Sequence, residues 1–165
     1  MKKMKIALIL VLAAGALAFT GEKAMITPFD INKLTGDAWQ GNYAWMNDST
    51  LEMNTANGTL TVTPDEKDPL VWTLTYDFPD APDKNKVTTL EINKTGDVIN
   101  GEEISDRAVT KEGVLKLITM KKTKTGLMRC TYRISENTFS LKKEKKDKDD
   151  TAFALRAQYD FTRNK

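Results

Sequence analysis

The chain has 165 residues, 25 of them basic and 23 acidic, with one cysteine and no histidine. The lack of histidine excludes the usual Ser-His-Asp and Cys-His hydrolytic sets, His-ligated zinc and copper, and the common haem attachments. A single cysteine excludes an internal disulfide, so stability has to come from an apolar core.

The chain opens MKKMKIALILVLAAGALAFT. Lys2, Lys3 and Lys5 form a positive lead, residues 6–12 are continuously apolar, and Ala16, Leu17 and Ala18 fit an A-x-A cleavage pattern. This is the organisation of a secretory signal peptide over residues 1–18. Its apolar run is shorter than the roughly 20 residues that a membrane helix needs. The expected location is extracytoplasmic, periplasmic or secreted, with no membrane span after cleavage. Loss of the three lysines turns the net charge from +2 to −1, so the basic pI of the whole chain says nothing about nucleic acid or anionic membranes. No phosphate-binding glycine loop is present, and no nucleic-acid partner is expected. The remaining 147 residues suit one domain, expected to be monomeric.

Residues 19–36 form a lead-in. Within it DINKLTG is expected to close as one helical turn, with Asp30 as N-cap and Gly36 as stop. From residue 37 onward a β pattern repeats. DAWQGNYAW, read at period two, puts Trp39, Gly41, Tyr43 and Trp45 on one face. NGTLTVTP opens on Asn57 and Gly58, a hairpin-turn signal, and its strand carries Leu60 and Val62 on one face. PLVWTLTYDFP places Trp72, Leu74, Tyr76 and Phe78 inside. KVTTLEIN carries Leu90 and Ile92, and KTGD turns it back toward VINGEEI. EISDRAVTKEG reads either as a short helix or as a turn-rich crossing.

GVLKLITMKK and LMRCTYRI are strands, the second with Met128, Cys130, Tyr132 and Ile134 on one face. TFSLKKE contributes Phe139 and Leu141, and KKEKKDKDD is expected to be a solvated loop or frayed hairpin tip. The last strand, AFALRAQYDFTR, has Phe153, Leu155, Ala157, Tyr159 and Phe161 on its apolar face. Eight to ten short strands with short links predict an all-β fold over residues 37–165. The expected form is an antiparallel up-and-down meander closing as an eight- to ten-stranded barrel, with a two-sheet β-sandwich as the alternative.

The candidate ligand-binding residues are the aromatic ones: Trp39, Tyr43, Trp45, Trp72, Tyr76 and Tyr132, which would line a barrel interior suited to a flat or apolar ligand. The plainer reading is that these rings fill a solid core, because aromatics carry large apolar area and suit strand geometry. Gly41 either leaves room among them or marks a sharp bend. Cys130, flanked by apolar neighbours and with no histidine to act as base, reads as a small buried hydrophobe. Asp65, Glu66 and Asp68, and likewise Asp147, Asp149 and Asp150, lack calcium-loop spacing and read as solvated turns; no metal and no cofactor are expected. Lys142, Lys143, Lys145 and Lys146 are interrupted by Glu144 and followed by acids, the mixed-sign pattern of ordinary solubility chemistry.

The early GDAWQGNYAW strand, the meander of hairpins and the final QYDFTR together resemble small bacterial secreted proteins with a lipocalin-like, or calycin-type, β-barrel. Lipocalins place G-x-W near the start of the first strand. Here Gly36, Asp37, Ala38 and Trp39 make that spacing one residue longer. The resemblance implies that Trp39 acts as a closing plug, with Arg163 or Arg156 stacked over it. It also implies a binding or structural role. The leading expectation is a non-enzymatic extracytoplasmic domain that binds a small apolar or aromatic ligand or a protein partner. A structural, envelope-associated module with a filled barrel is the alternative. A hydrolase or isomerase using carboxylates or a tyrosine is a weaker one.

Overall fold

The structure, a computed structural model, describes residues 25–163; the signal-peptide reading of residues 1–18 and the first part of the lead-in lie outside them. One short helix, α1 (Pro28–Asn32), precedes ten strands: β1 (Gly36–Met46), β2 (Met53–Pro64), β3 (Val71–Asp77), β4 (Lys86–Glu91), β5 (Val98–Ile99), β6 (Glu102–Val109), β7 (Leu115–Lys122), β8 (Gly126–Ile134), β9 (Thr138–Asp147) and β10 (Ala154–Thr162). They form one antiparallel sheet in the order β4-β3-β2-β1-β10-β9-β8-β7-β6-β5. Only the β1–β10 contact is not sequential, so the sheet is an up-and-down meander closing through its first and last strands. The result is a ten-stranded barrel rather than a sandwich.

One seam is left unsealed. β5 bridges to the end of β4 only through Ile92 and Ile99. The Asn100 amide donates to the Glu91 carbonyl at 2.8 Å, and the Glu91 amide donates to Asn100 Oδ1 at 2.8 Å. Residues 86–90 of β4 have ladder partners on the β3 side alone. EISDRAV is therefore a strand, β6, not a helix. It borders the seam and pairs with β7.

The interior is continuous from α1 to the far end of β1. Ile26, Ile31 and Leu34 from the α1 region meet Trp39, Leu60, Val62, Trp72, Ile134, Phe139 and Phe161, all almost fully buried. α1 is capped differently from the sequence expectation. Thr27 is the N-cap, and Asp30, three residues on, accepts hydrogen bonds from the Thr27 amide at 3.1 Å and the Thr27 hydroxyl at 2.9 Å. The carboxylate reaches back to the entering chain, which is why it is acidic and sits in the first turn.

Two Asn-Gly pairs behave oppositely. Asn100 and Gly101 have φ of 51° and 76° and form the two-residue turn between β5 and β6. Asn57 and Gly58, expected to form a turn, lie in mid-β2 and pair with Asn42 and Gly41 of β1. The turn joining β1 to β2 is instead residues 47–52, where the Asn47 side chain accepts from the amides of Ser49 and Thr50. The two glycines share one cause. A Cβ on Gly41 would collide with the Asp160 carbonyl of β10, and one on Gly58 with the Asp77 carbonyl and the Phe78 ring. Gly41 thus leaves no space among the rings; it is the point at which the neighbouring backbone closes in. Gly41→Ala should lower stability by at least about 2 kcal/mol in urea unfolding, because the extra methyl overpacks against main chain. Gln40→Ala, on the exposed face beside it, should change stability by less than about 0.5 kcal/mol.

Candidate functional site

The aromatic residues divide along the barrel. Trp39 and Trp72 lie at the end covered by α1, each nearly inaccessible. The Trp39 indole donates to the Leu34 carbonyl at 2.8 Å, and the Trp72 indole to Asn32 Oδ1 at 2.9 Å. Arg163 lies over the Trp39 ring with its guanidinium carbon 4.4 Å from the centroid. It donates to the carbonyls of Thr35 at 2.8 Å and Glu136 at 2.6 Å, and also to that of Lys33. One side chain from the end of the last strand thus holds α1, the start of β1 and the β8–β9 turn together. Arg156 is elsewhere. It sits at the bulge in β10, toward the other end of β1, and its nearest acid is Asp48 at 3.8 Å.

Toward the middle, the rings form a stack. Tyr43 lies parallel to Tyr159 at 4.3 Å and to Trp45 at 5.0 Å, and Tyr159 meets Tyr76 at 5.0 Å. Phe78 and Phe161 close the group. Tyr43 and Trp45 are half-buried, while Tyr76 and Tyr159 are buried. The stack occupies the β1, β3 and β10 side of the lumen.

The seam side is less full. Between the stack and β8 lies a cavity of about 150 Å³. Its apolar wall is Leu74, Leu90, Phe139 and Leu141, and its polar groups come from Tyr76, Lys86, Glu102, Cys130, Tyr132 and Lys143. Thr88 and Thr89 of β4 border it and are exposed, so the cavity opens where β4 and β6 fail to pair. Of the aromatic residues singled out in the sequence, Tyr76 and Tyr132 line this space. Trp39, Trp72, Tyr43 and Trp45 do not.

Lys86 and Lys143 are the residues that sequence reasoning missed. Lys86 donates to the Tyr159 hydroxyl at 2.7 Å, with its ammonium 4.5 Å from the Tyr159 centroid and 5.1 Å from that of Tyr76. Lys143 was expected on a solvated loop, but β9 runs straight through KKEKKD to Asp147. Continuing the alternation from Phe139 and Leu141 turns Lys143 inward and Lys142 and Glu144 outward. That period was legible in TFSLKKEKKD; the density of charge masked it. A bulge also corrects the last strand. Because the register slips between Leu155 and Ala157, Leu155 pairs with the outward Glu144 and Ala157 with the inward Lys143. Phe153 lies beyond the strand, its ring 4.2 Å from the Arg129 guanidinium.

The local electrostatics follow from burial. Burial, reinforced by the nearby Lys143 charge, pushes the Lys86 amine down to about 8. Burial raises the phenols of Tyr76, Tyr132 and Tyr159 above their ordinary range. Burial, with the Glu102 carboxylate close by, likewise raises the Cys130 thiol. Tyrosines and a cysteine held in their neutral forms are inert as nucleophiles, while the Lys86 amine is brought closer to neutrality. Among the described residues, no group of three or more cysteines and acids is arranged to hold a metal ion, and no helix is long and apolar enough to cross a membrane.

Two larger depressions lie on the outer surface. One, of about 470 Å³, runs over β7 to β10 and is lined by Lys116, Arg129, Arg133, Lys142, Glu144 and Asp160 among others. Its central charges are already spent on one another, since Glu144 accepts from Arg129 at 2.9 Å and Lys142 at 2.8 Å. The other, of about 480 Å³, is a shallow trough over Gly41 and Gly58. Neither has an apolar wall like that of Leu74, Leu90, Phe139 and Leu141 in the smaller interior space.

Arg163→Met should cost about 2 kcal/mol in chemical unfolding, because three carbonyls lose a charged donor. Arg163→Lys should recover less than half of that, since one ammonium cannot reproduce the planar fork. Below about pH 8 Lys86 is charged in both folded and unfolded chains, and its burial opposes folding. Between about 8 and its ordinary 10.5 only the unfolded chain keeps the proton, so this contribution to stability rises with pH. The stability difference between wild type and Lys86→Met should therefore shift in favour of wild type from about pH 7 to about pH 10. The same comparison cancels the opposing ionisation of the tyrosines and Cys130.

Among solved structures, Rv2717c from M. tuberculosis is similar, with a TM-score of 0.54 over 86% of this chain and 100% of that one, at 12% identity. A protein of unknown function from the DUF3598 family of Nostoc punctiforme PCC 73102 overlays 85% of this chain and 50% of its own, with a TM-score of 0.46 and 14% identity. At these identities the likeness concerns the fold alone. No protein-family model matches the chain, and no curated protein matches its sequence.

Proposed function

We propose that the chain is a non-enzymatic, extracytoplasmic domain that holds one small apolar or aromatic ligand inside its barrel. The observation that carries this reading is the interior cavity of about 150 Å³, with an apolar wall, converging polar groups and an opening at the unpaired seam. A space of roughly this size has room for a single aromatic ring. The extracytoplasmic part rests on the charged and apolar order of residues 1–18. The filled lumen around Trp39 and Trp72 favours the other reading, a structural module whose barrel is simply packed.

Native mass spectrometry of full-length protein purified from its own host, followed by NMR titration with benzene, indole, benzoate and short-chain fatty acids, separates the two. A retained small mass, or probe-induced shifts at the amides of Leu90, Tyr132 and Leu141, is the expected result. No bound mass and no shift with any probe would leave the packed module standing. Fractionation of host cells with N-terminal sequencing should find a mature chain starting at Phe19 outside the cytoplasm. An intact Met1 in the cytoplasm would overturn the location.

A further inference from the structure

We infer that the cavity selects a small monocarboxylate, with the Lys86 and Lys143 ammonium groups as its cationic anchors; this rests on reading the cavity as a ligand site. The two lysines come from separate parts of the chain. Lys86 is at the start of β4 opposite Tyr76, and Lys143 is in mid-β9 opposite Cys130 and Ala157. Both are inward strand positions, both are half-buried, and both border the same space.

Neither lysine is ion-paired to a carboxylate among the described residues, although their neighbours are. Lys142 reaches Glu144 at 2.8 Å and Lys145 reaches Asp147 at 2.8 Å, while the polar partner of Lys86 is the neutral Tyr159 hydroxyl. A partly enclosed space with two like charges, whose bordering carboxylate is held by Thr119 and Lys121, gains from an incoming anion on both counts. Charge-assisted hydrogen bonds form, and the mutual repulsion is neutralised.

Glu102 is the one carboxylate bordering the cavity, and it is engaged elsewhere. It accepts from the Thr119 hydroxyl at 2.7 Å and lies 3.8 Å from Lys121. The charge that acts on Lys86 is that of Lys143. Glu102 has a second consequence. It is a negative group in the lining and so disfavours a second anionic group on the ligand. Together, the volume, the apolar wall of Leu74, Leu90, Phe139 and Leu141, and the paired ammonium groups fit a one-ring or short-chain acid carrying one negative charge.

Calorimetric and NMR titration of the full chain near pH 7 with benzoate, benzamide, benzyl alcohol and terephthalate tests this. Benzoate should bind at least about tenfold more tightly than benzamide or terephthalate, the gain expected from charge-assisted bonds. Lys86→Met and Lys143→Met should each weaken benzoate by about tenfold or more and leave benzyl alcohol unchanged within about twofold. If Lys86→Met fails to fold, Lys143→Met and the wild-type pH profile decide. Benzoate affinity should fall as pH passes about 8 and Lys86 loses its proton. The other groups facing that amine are Lys143, Tyr76 and Tyr159, with Tyr132, Cys130 and Glu102 across the cavity. The phenols and the thiol, raised by burial, keep their protons through that range. Equal binding of benzoate and benzyl alcohol would overturn the anion selectivity and leave the cavity reading intact. Binding by none of the probes would remove the cavity reading itself. Benzoate binding that survives both lysine variants but is lost in Lys116→Met/Arg133→Met would place the anion in the outer groove and overturn the inference.

Discussion

The closure of the barrel depends on one side chain. Arg163 lies over the Trp39 ring and donates to three carbonyls from segments far apart in the chain. Each of those carbonyls belongs to a turn or an element end, where ladder partners run out and an unpaired acceptor would be costly if buried. A guanidinium can satisfy all of them in one plane and present its face to the indole at the same time. With that end shut, and with the α1 region seated through Ile26, Ile31 and Leu34, the lumen communicates with solvent where β4 and β6 stand apart.

The lumen is therefore asymmetric. On the β1, β3 and β10 side, Tyr43, Tyr159 and Tyr76 pack with Phe78 and Phe161, and the glycines at positions 41 and 58 let neighbouring backbone come close. On the seam side the wall is one strand short of full pairing, and the interior is more polar. An ordinary packed barrel would place leucine or valine at positions 86 and 143. At position 86 the half-buried ammonium opposes folding while it carries its proton.

Local sequence read the strands well and several of their ends poorly, for identifiable reasons. Alternation found the inward faces of β1, β3 and β8 because one side of each is apolar over several residues. It failed on β9, where inward Lys143 breaks the apolar series, and on β10, where a bulge flips the phase between Leu155 and Ala157. The two Asn-Gly pairs carry the same local signal. One turns because its chain is free to reverse, and the other cannot because β1 and β3 flank it on both sides. For the candidate site, Tyr76 and Tyr132 were legible as inward aromatics. The lysines that give the cavity its charge looked like surface residues.

By itself the sequence determined an all-β meander with short links, an aromatic interior and a chain without the histidine chemistry of common hydrolases. These follow from composition and from the two-residue period, which are local. Only the tertiary structure decided that β4 and β6 stay unpaired, that Gly41 admits backbone rather than ligand, and that Lys86 and Lys143 meet inside. The last two bring together residues more than 50 positions apart in the chain, Gly41 with Asp160 and Lys86 with Lys143. Such contacts are set by how the sheet curls and shears as it closes, and the local pattern of a single strand carries no record of that.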